Sequence, residues 1–416
     1  MSKAPPNDNQ GNYGAAAHER PVPRISIDAF CEFPDTQASL ERAASDRRLS
    51  KAHFNVQPGG VQAAVTHYGT QPTPNLLVVE TRCQGDDVIA ELEQLATVCD
   101  ESTKVIVVGR VNDVQLYREL TRRGVSEYMV APLDPLHFIE TISALYAGPK
   151  AAPIGRVTAF IGARGGIGSS TLAHNTAWFV AEELKIDTAI VDFDLAFGTL
   201  GLDFNEDSGQ GIADALAAPE RLDDVLLDRL LIKYGPHLSL FPAPALLDRD
   251  YEVDDHAYET VVDQVRNSIP CVVVDLPHVW TPWSRQVLLA ADEIVIVAAL
   301  DLVSLRNAKS IMDVVRARRL HDGAPRLVIN QAGIPKRPEI PLKEFAAAIG
   351  QDPELVLPFD PQLFGSAANN GQMLAEVQPA AAATDGVRKL AGAITGRKIS
   401  RASKKGKFLP FIRKAG

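Results

Sequence analysis

Short apolar runs alternate with helix-like patterns along the first third of the chain. Each run is followed by a stretch in which apolar residues recur with the spacing of an amphipathic helix. The runs are found in "RISIDAF", "HFNVQ", "NLLVVE", "KVIVVG" and "SEYMVAP". Five consecutive strand–helix units predict a parallel sheet that is covered by helices on both faces.

The same alternation starts again after a stretch of small residues and prolines, "AGPKAAPIG" (147–155). The apolar runs of the second half are "RVTAFIG", "TAIVDFD", "LSLFPAP", "CVVVDLP", "EIVIVAAL" and "RLVINQ". Most of them are apolar almost throughout, as buried parallel strands are. We therefore predict an α/β fold class with two doubly wound parallel-sheet domains, of which the second is the larger.

These patterns divide the chain into segments. The predicted segments are a disordered polar leader (1–21), a first domain (22–147), a linker (148–155), a second domain (156–395) and a basic tail (396–416).

Composition limits the class of protein. The chain has 416 residues, of which 46% are hydrophobic and 23% charged, as in globular proteins with large cores. The four cysteines are scattered without a C-x-x-C pair, which favours a reducing compartment over a disulfide or zinc framework. No apolar run is long enough to cross a bilayer, and the first residues are not those of a signal peptide. We expect a soluble, cytoplasmic protein.

A glycine-rich stretch follows the first apolar run of the second half. In "FIGARGGIGSSTLAHN" (160–175) a strand leads into glycines, hydroxyls and a helix, which is the form of a phosphate-binding loop. Gly165, Gly166 and Gly168 let consecutive backbone amides turn toward one phosphate, and the helix adds its positive end. Ser170 stands at the position that ligates Mg²⁺ in such loops.

Ser169 stands where loops of this kind carry a lysine. Its hydroxyl is uncharged, so the β- and γ-phosphates lose their nearest cation, and we expect weak or absent ATP hydrolysis. Thr171 is placed to reach a phosphate oxygen. Arg164 keeps a positive charge before the glycines and suits a forked contact with phosphate.

The stretch resembles the K-G-G-x-G-K-[ST] loop of the MinD/ParA family of ATPases. Arg164 corresponds to that family's signature lysine, which reaches across the dimer, and Ser169 corresponds to its loop lysine. The resemblance implies ATP or ADP with Mg²⁺ as cofactors. The phosphate cradle that it implies consists of Gly165, Gly166, Ile167, Gly168, Ser169, Ser170 and Thr171.

Two further segments resemble this family. "TAIVDFDLAFGTLGLDF" resembles its switch I region, where Asp192 would belong to the outer shell of Mg²⁺ and Asp194 would position the attacking water. "CVVVDLPHVW" resembles its Walker B strand and places Asp275 in the Mg²⁺ shell. The implied magnesium residues are thus Ser170, Asp192 and Asp275, and the implied catalytic residues are Asp194 and Arg164.

The base-binding residues follow near the end of the second domain. "RLVINQA" places Asn330 where the family reads the adenine edge, and the stretch Val356–Phe364, which contains Pro358, resembles the loop that closes over the base. Strands that end in Asp or Asn are also common for structural reasons. Several such matches in the correct order favour the family.

The first domain resembles the receiver domain of response regulators. Glu80 ends the third predicted strand, where that family has its phosphoaccepting aspartate, while Gly109 replaces the switch hydroxyl and Ala131 the lysine. Phosphoryl transfer needs an acceptor, a cation and a positive group. We therefore expect a scaffold for dimerisation or docking that is not phosphorylated, with Asp28 and Glu32 as ordinary solvated acids.

Together the two domains resemble the CpaE/TadZ family of Tad-type (Flp) pilus assembly proteins. The resemblance implies a dimeric scaffold that binds ATP, hydrolyses it weakly or not at all, and localises to the cell pole at the inner membrane. The implied partners are a second copy of the chain, the Tad secretion ATPase, the membrane platform and a polar landmark protein.

The C-terminal tail is basic, whereas the rest of the chain is acidic. The formal net charge is −10, but residues 396–416 contain lysines and arginines without any acid. In "KKGKFLPFIRK" these cations alternate with apolar residues, which resembles the membrane-targeting tails of MinD-type proteins and suits an anionic lipid surface. A merely solvated tail and nonspecific binding of nucleic acid are the alternatives, and Pro410 interrupts any amphipathic helix.

Two other function classes stay open. One is an active MinD/ParA-type ATPase that places a division-site or flagellar cargo, against which Ser169 weighs. The other is a DNA-partitioning protein, against which the acidic body weighs because DNA binding needs basic residues on the folded surface. We do not expect DNA to be a partner.

Overall fold

The structure is a computed structural model, and it describes residues 22–147, 154–206, 211–244, 247 and 251–397. The predicted leader (1–21), linker residues 148–153 and tail residues 398–416 lie outside the described residues. We call residues 22–147 the N-terminal unit and residues 154–397 the C-terminal unit. Among the described residues, no helix combines the length and apolarity that crossing a membrane requires.

In the N-terminal unit, the described strands form one parallel sheet with the order β2-β1-β3-β4-β5. The strands are β1 (Ser26–Cys31), β2 (His53–Pro58), β3 (Leu76–Glu80), β4 (Lys104–Gly109) and β5 (Glu127–Val130). All five coincide with the predicted apolar runs. This strand order is that of the flavodoxin-like, doubly wound fold.

Helices connect successive strands of this sheet and pack on its two faces. They are α1 (Pro34–Ala44), α2 (Gly60–Tyr68), α3 (Asp86–Ala96), α4 (Val114–Arg122) and α5 (Pro135–Tyr146). The first helix begins at Pro34 because proline suits the first helical position.

The C-terminal unit contains a larger sheet with the order β13-β12-β11-β6-β10-β7-β9-β8. Its described strands are β6 (Arg156–Gly162), β7 (Thr188–Asp192), β8 (Ile232–Lys233), β9 (Leu238–Phe241), β10 (Cys271–Leu276), β11 (Glu293–Ala298), β12 (Arg326–Ala332) and β13 (Leu355–Pro358). All pair in parallel except the short edge strand β8, which is antiparallel to β9.

Helices cover both faces of this sheet as well. The described helices are α6 (Ser169–Glu182), α7 (Leu200–Asp203), α8 (Ile212–Ala217), α9 (Asp224–Leu230), α10 (Asp255–Ser268), α11 (Pro282–Ala290), α12 (Leu302–Arg318), α13 (Leu342–Ile349), α14 (Pro361–Asn370), α15 (Leu374–Val377) and α16 (Ala382–Thr395). The predicted α/β class with two parallel sheets is therefore confirmed.

The sheets place the hydrophobic cores. In the N-terminal unit, Phe138 belongs to the core on one face of the sheet and Phe30 to the core on the other. In the C-terminal unit the central strands β7 and β10 are buried at every residue. Burying one large apolar side chain contributes about 1.5–3 kcal/mol, so these strands hold the polar residues at their carboxyl ends in fixed positions.

A network of partly buried charges joins the two units. Arg47, which follows α1, donates to Ala290 O at 2.9 Å and pairs with Asp292 at 3.2 Å and Asp322 at 2.8 Å. Arg48 also pairs with Asp322, at 2.7 Å. Burial acts to raise the pKa of Asp322, but the surrounding guanidinium groups outweigh it and hold that pKa well below its usual range. These directional pairs fix how the units pack.

Candidate functional site

The glycine loop lies at the centre of the C-terminal sheet. It leaves the carboxyl end of β6, which pairs with β10 on one side and β11 on the other. In open α/β sheets, ligands bind outside the carboxyl ends of the strands where the order of connections reverses. The loop therefore occupies the position where this fold binds its ligands.

Glycine is required in this loop for two different reasons. Gly166 and Gly168 have φ angles of +75° and +83°, which glycine adopts without strain. A Cβ atom at Gly168 would lie 2.8 Å from Asn330 Nδ2, whereas the space at Gly165 and Gly166 is open. The amides of Gly165, Gly166 and Gly168 donate to no other described residue. Together with the start of α6 at Ser169, they form a cradle for an anion.

The hydroxyls at the start of α6 have different surroundings. The Oγ atom of Ser169 is buried and has no hydrogen-bond partner among the described residues. The Ser170 side chain acts to lower the pKa of Asp275. Thr171 is half-buried. Ser169 is therefore an uncharged group beside the cradle, and the assignment of Ser170 and Asp275 to one Mg²⁺ site remains a prediction.

Arg164 is held within its own chain. Its Nε lies 3.1 Å from Asp301 Oδ2, and its Nη1 donates to Gly165 O at 3.1 Å. Arg337 shares the same Asp301 oxygen, at 2.6 Å. The predicted contact of Arg164 with a partner subunit remains a prediction, and it requires Arg164 to leave Asp301.

The two switch acids shape the turn after β7. Asp192 is fully buried, and its carboxylate accepts from the backbone amides of Asp194 at 3.0 Å and Leu200 at 3.3 Å. Asp194 in turn accepts from the amide of Phe197 at 3.0 Å. Burial raises the pKa of Asp192. Both acids therefore hold the turn together, and their roles at Mg²⁺ and at the attacking water remain predictions.

Asp275 lies at the carboxyl end of β10 and is almost completely buried. Burial is the main cause that raises its pKa to about 7, and the nearby charge of His174 opposes this rise. One of its oxygens, Oδ1, has no hydrogen-bond partner among the described residues. Asp275 is therefore an acid with an open coordination position.

Two polar residues near Asp275 were missed by the sequence reasoning. The imidazole of His174 is fully buried, and its Nδ1 lies 2.7 Å from Asp203 Oδ2. Burial acts to lower the pKa of His174, but the hydrogen bond to Asp203 and the Asp275 carboxyl raise it overall. The signal was available: His174 follows Ser170 by four residues, which places both on one face of α6.

Asn330 and Gln331 contact the loop itself. Asn330 Nδ2 donates to Ile167 O at 2.7 Å, and Gln331 Nε2 donates to Gly166 O at 3.1 Å. Asn330 Oδ1 is buried and has no partner among the described residues. The amide nitrogen of Asn330 thus supports the loop, and its role in reading adenine remains a prediction. Sequence reasoning missed Gln331.

The stretch 356–364, predicted as a loop over the base, has a different structure. Residues up to Pro358 form the edge strand β13, where Pro358 pairs with Ala332, and α14 begins at Pro361. The loop prediction was wrong because Val356 continues the sheet beside β12. Only Phe359 and Asp360 separate the strand from the helix.

The corresponding sheet edge of the N-terminal unit is arranged differently. Glu80 is buried, and its carboxylate accepts from Glu32 N at 2.9 Å, Phe33 N at 3.0 Å and Thr36 Oγ1 at 2.6 Å. Its hydrogen bonds therefore anchor the start of α1.

The acids and the glycine around Glu80 are also engaged. Asp28 accepts from the Tyr68 hydroxyl at 2.6 Å, so the prediction that it is an ordinary solvated acid was wrong. Glu32 pairs with Arg82 at 2.6 Å. At Gly109, an added Cβ atom would lie 2.2 Å from the Tyr128 hydroxyl, so the tyrosine occupies the space beside the glycine.

Comparison with solved structures identifies the family. The chain is 53% identical to the pilus assembly protein CpaE of Caulobacter crescentus CB15, in a match that covers 31% of this chain and 98% of that chain with a TM-score of 0.31. The sequence identity over almost the whole of that chain decides the assignment. This chain belongs to the CpaE family.

The larger fold matches another group of proteins. A ParA family ATPase from Chlorobium tepidum TLS is 26% identical and matches 57% of this chain and 98% of its own, with a TM-score of 0.51. The septum site-determining protein MinD of Pyrococcus horikoshii OT3, solved with Mg-ADP, is 18% identical, covers 58% and 96%, and has a TM-score of 0.51. The likeness to this MinD protein shows only that the two chains share a fold.

Curated relatives match over a shorter span. The septum site-determining protein MinD of a Synechocystis species is 24% identical over 191 residues, which are 44% of this chain and 66% of that protein. The chain thus spans just under two thirds of the length of this relative. No protein-family model matches the chain.

Proposed function

We propose that this CpaE-family chain is an ATP-binding localisation and assembly factor for Tad-type (Flp) pilus biogenesis. In this proposal it acts as a dimeric scaffold at the cell pole, peripheral to the inner membrane, with weak or no ATP hydrolysis. The pilus role rests on the 53% identity to CpaE of Caulobacter crescentus. The nucleotide role rests on one observation in the structure, the open cradle of loop amides beside Ser169.

The residues at the loop fit a nucleotide with Mg²⁺. The free amides of the glycines and the start of α6 suit phosphate oxygens. Asp192 and Asp275 lie close together, and Asp275 Oδ1 has no hydrogen-bond partner among the described residues, so these two acids with Ser170 would hold Mg²⁺. Bound Mg²⁺ neutralises charge on the β- and γ-phosphates. A MinD protein that shares this fold holds Mg-ADP.

Weak hydrolysis follows from what the loop lacks. An ammonium group beside the transferring phosphate stabilises the charge that develops there, and Ser169 offers only a hydroxyl. Asp194, the predicted positioner of water, already accepts a hydrogen bond from its own turn. These residues bind and orient a nucleotide better than they promote its cleavage.

Binding without turnover is sufficient for a scaffold. A ligand that binds only the dimer stabilises the dimer by mass action, in proportion to its concentration over its dissociation constant. In the proposed dimer, Arg164 exchanges its contact with Asp301 for a phosphate of the partner's nucleotide. The predicted partners are the Tad secretion ATPase, the membrane platform and a polar landmark protein.

The tail adds a membrane contact to this proposal. Residues 398–416 lie outside the described residues, so the support comes from the sequence. Each basic residue near an anionic leaflet contributes about 1 kcal/mol of attraction. We expect co-sedimentation with anionic liposomes to decrease when residues 396–416 are deleted. Unchanged co-sedimentation would exclude the tail as an anchor.

Calorimetry with ATP and ADP, with and without Mg²⁺, tests the nucleotide proposal. We expect measurable binding of both nucleotides, and light scattering on the same samples should show a larger dimer fraction with ATP. Gly166→Val is the matched change: because a side chain at a φ of +75° is strained and enters the cradle, binding should be lost. If folded protein binds neither nucleotide at millimolar concentration, the nucleotide-dependent scaffold is ruled out.

A further inference from the structure

The two buried acids Asp192 and Asp275 lie beside a buried histidine, His174, to which the proposed function assigns no role. His174 lies on α6 with its Nε2 atom 3.6 Å from Asp275 Oδ2. One donor atom from each of His174, Asp192 and Asp275 lies within 4.8 Å of the others, and all three residues are buried. The set thus combines one imidazole and two carboxylates in a space without exposed side chains.

Two atoms of this set are unsatisfied. His174 Nε2 and Asp275 Oδ1 are both buried, and neither has a hydrogen-bond partner among the described residues. Burying a polar atom without a partner costs about 1–3 kcal/mol. Both atoms belong to residues of this buried set. One cation bound to His174, Asp192 and Asp275 would therefore satisfy both atoms together.

We infer that His174 Nε2, Asp192 and Asp275 bind a divalent transition-metal ion, and that Asp203 orients the imidazole. Histidine ligands typically donate their other ring N–H to a carboxylate, which is the arrangement of His174 Nδ1 and Asp203 Oδ2 at 2.7 Å. Ligand atoms about 2.0–2.1 Å from a tetrahedral metal lie roughly 3.4 Å apart, close to the spacing of His174 Nε2 and Asp275 Oδ2.

The donor set selects the class of metal. Without the phosphate oxygens of a bound nucleotide, this set includes an imidazole nitrogen, which disfavours Mg²⁺ because Mg²⁺ takes oxygen ligands and retains several waters. A mixed nitrogen and carboxylate site suits Mn²⁺, Fe²⁺, Co²⁺ or Zn²⁺.

This inference goes beyond the proposed function, although both use Asp192 and Asp275. It adds His174 and Asp203, and it requires no nucleotide. Metal binding is therefore measured without ATP or ADP, and nucleotide binding is measured on the His174 variant. A failure of one proposal then leaves the other testable.

Cobalt titration of the full-length protein provides the test. After removal of metals with EDTA and dialysis, we expect the protein to bind one Co²⁺ per chain, with visible absorption typical of nitrogen and oxygen ligands. Zn²⁺ should displace the cobalt, and a large excess of Mg²⁺ should not. His174→Gln should weaken Co²⁺ binding about tenfold or more, and Asp203→Asn about tenfold.

His237→Gln is the matched control. His237 also places its Nδ1 2.7 Å from an aspartate, Asp187, but this pair is partly exposed and outside the buried set. Its loss should leave Co²⁺ binding unchanged. Circular dichroism tests whether each variant folds. If His174→Gln does not fold, Asp203→Asn, whose carboxyl is partly exposed, takes its place in the titration. Absence of Co²⁺ binding at millimolar concentration, or equal binding by wild type and the folded variants, would overturn the inference.

Discussion

Each unit has a buried acid at or near the carboxyl end of a central strand, but the surroundings of the two acids differ. Glu80 ends β3 of the N-terminal unit and accepts three hydrogen bonds from the chain around it. Asp275 lies near the end of β10 in the C-terminal unit, where one of its oxygens has no partner among the described residues. Both acids are almost completely excluded from solvent.

The difference separates a structural acid from an acid available to a ligand. The donors around Glu80 come from the start of α1, and the guanidinium of Arg110 lies 3.8 Å from its carboxylate. Tyr128 meanwhile fills the space beside Gly109. Asp275 instead shares its surroundings with His174 and Ser170, and part of its bonding capacity is unused. The N-terminal edge is thus closed by its own side chains, whereas at the C-terminal edge Asp275 Oδ1 has no hydrogen-bond partner within the part of the chain that the structure describes.

Replacing Glu80 is the strongest test of this comparison. Glu80→Ala leaves two backbone amides and the Thr36 hydroxyl without their acceptor. We expect the free energy of unfolding of the N-terminal unit to fall by about 4–5 kcal/mol. Urea unfolding followed by circular dichroism, with hydrogen exchange of the β3 amides, measures it. Glu101→Ala, at an exposed glutamate, is the control and should change stability by about 0.5 kcal/mol or less. A loss below about 1 kcal/mol for Glu80→Ala would contradict the structural role.

The effect of Asp275 on the free energy of unfolding should instead be unfavourable and should depend on pH. Its pKa is about 7 in the folded protein, whereas the unfolded chain has the ordinary value near 4. Between these values the folded state holds a proton that the unfolded state has released. The stabilisation from this proton is complete below pH 4 and is lost as the pH rises through 7.

Asp275→Asn removes this titration. In metal-free buffer, the stability of the variant relative to wild type should therefore rise by up to about 4 kcal/mol between pH 4 and pH 8. All three tryptophans of the chain lie in the C-terminal unit, so their fluorescence during urea unfolding reports on it. Asp313→Asn, at an exposed aspartate on α12, should give a difference that does not vary with pH. A pH-independent difference for Asp275→Asn would show that its burial carries no such cost.

The sequence predicted most of the strands, because buried parallel strands are nearly continuous apolar runs. The family resemblance assigned Ser170, Asp192 and Asp275 to one Mg²⁺ site, and the structure places Asp192 and Asp275 close together. The sequence did not show the contacts that a side chain makes with residues far away in the chain. Glu80 was recognised as an altered phosphoacceptor, but its donors lie more than 40 residues earlier in the chain. Pattern alone gives no measure of such a contact.

The helical residues near the loop show the same limit. His174 was hidden because one histidine in an otherwise apolar helix is usually a core residue. Its role depends on Asp203 and Asp275, which come from two other elements, so only the folded chain brings the three together. The α-helical spacing from Ser170 to His174 was the signal that pointed to a common face.

Restoring the loop lysine tests how the charge missing from the C-terminal site affects ATP binding. In Ser169→Lys, a charged hydrogen bond to phosphate should contribute about 2 kcal/mol, a roughly 30-fold rise in ATP affinity. Ser169→Met has a side chain of similar length without charge and is the matched control. Calorimetry measures affinity, and phosphate release shows whether turnover also rises. Equal ATP affinity in both variants would mean that the missing charge does not limit binding.

The smallest effect concerns the closed edge of the N-terminal unit. A Cβ atom at Gly109 would lie 2.2 Å from the Tyr128 hydroxyl, which donates to Val111 O at 2.8 Å. We therefore expect Gly109→Ala to cost about 2 kcal/mol, because the tyrosine must move and lose this hydrogen bond. In a Tyr128→Phe background the same change should cost about 1 kcal/mol less, since the atom in closest contact is gone. Urea unfolding of the four proteins in this double-mutant cycle measures the coupling. If the two costs are equal, Tyr128 does not close this edge, and the contrast with Asp275 rests on Glu80 alone.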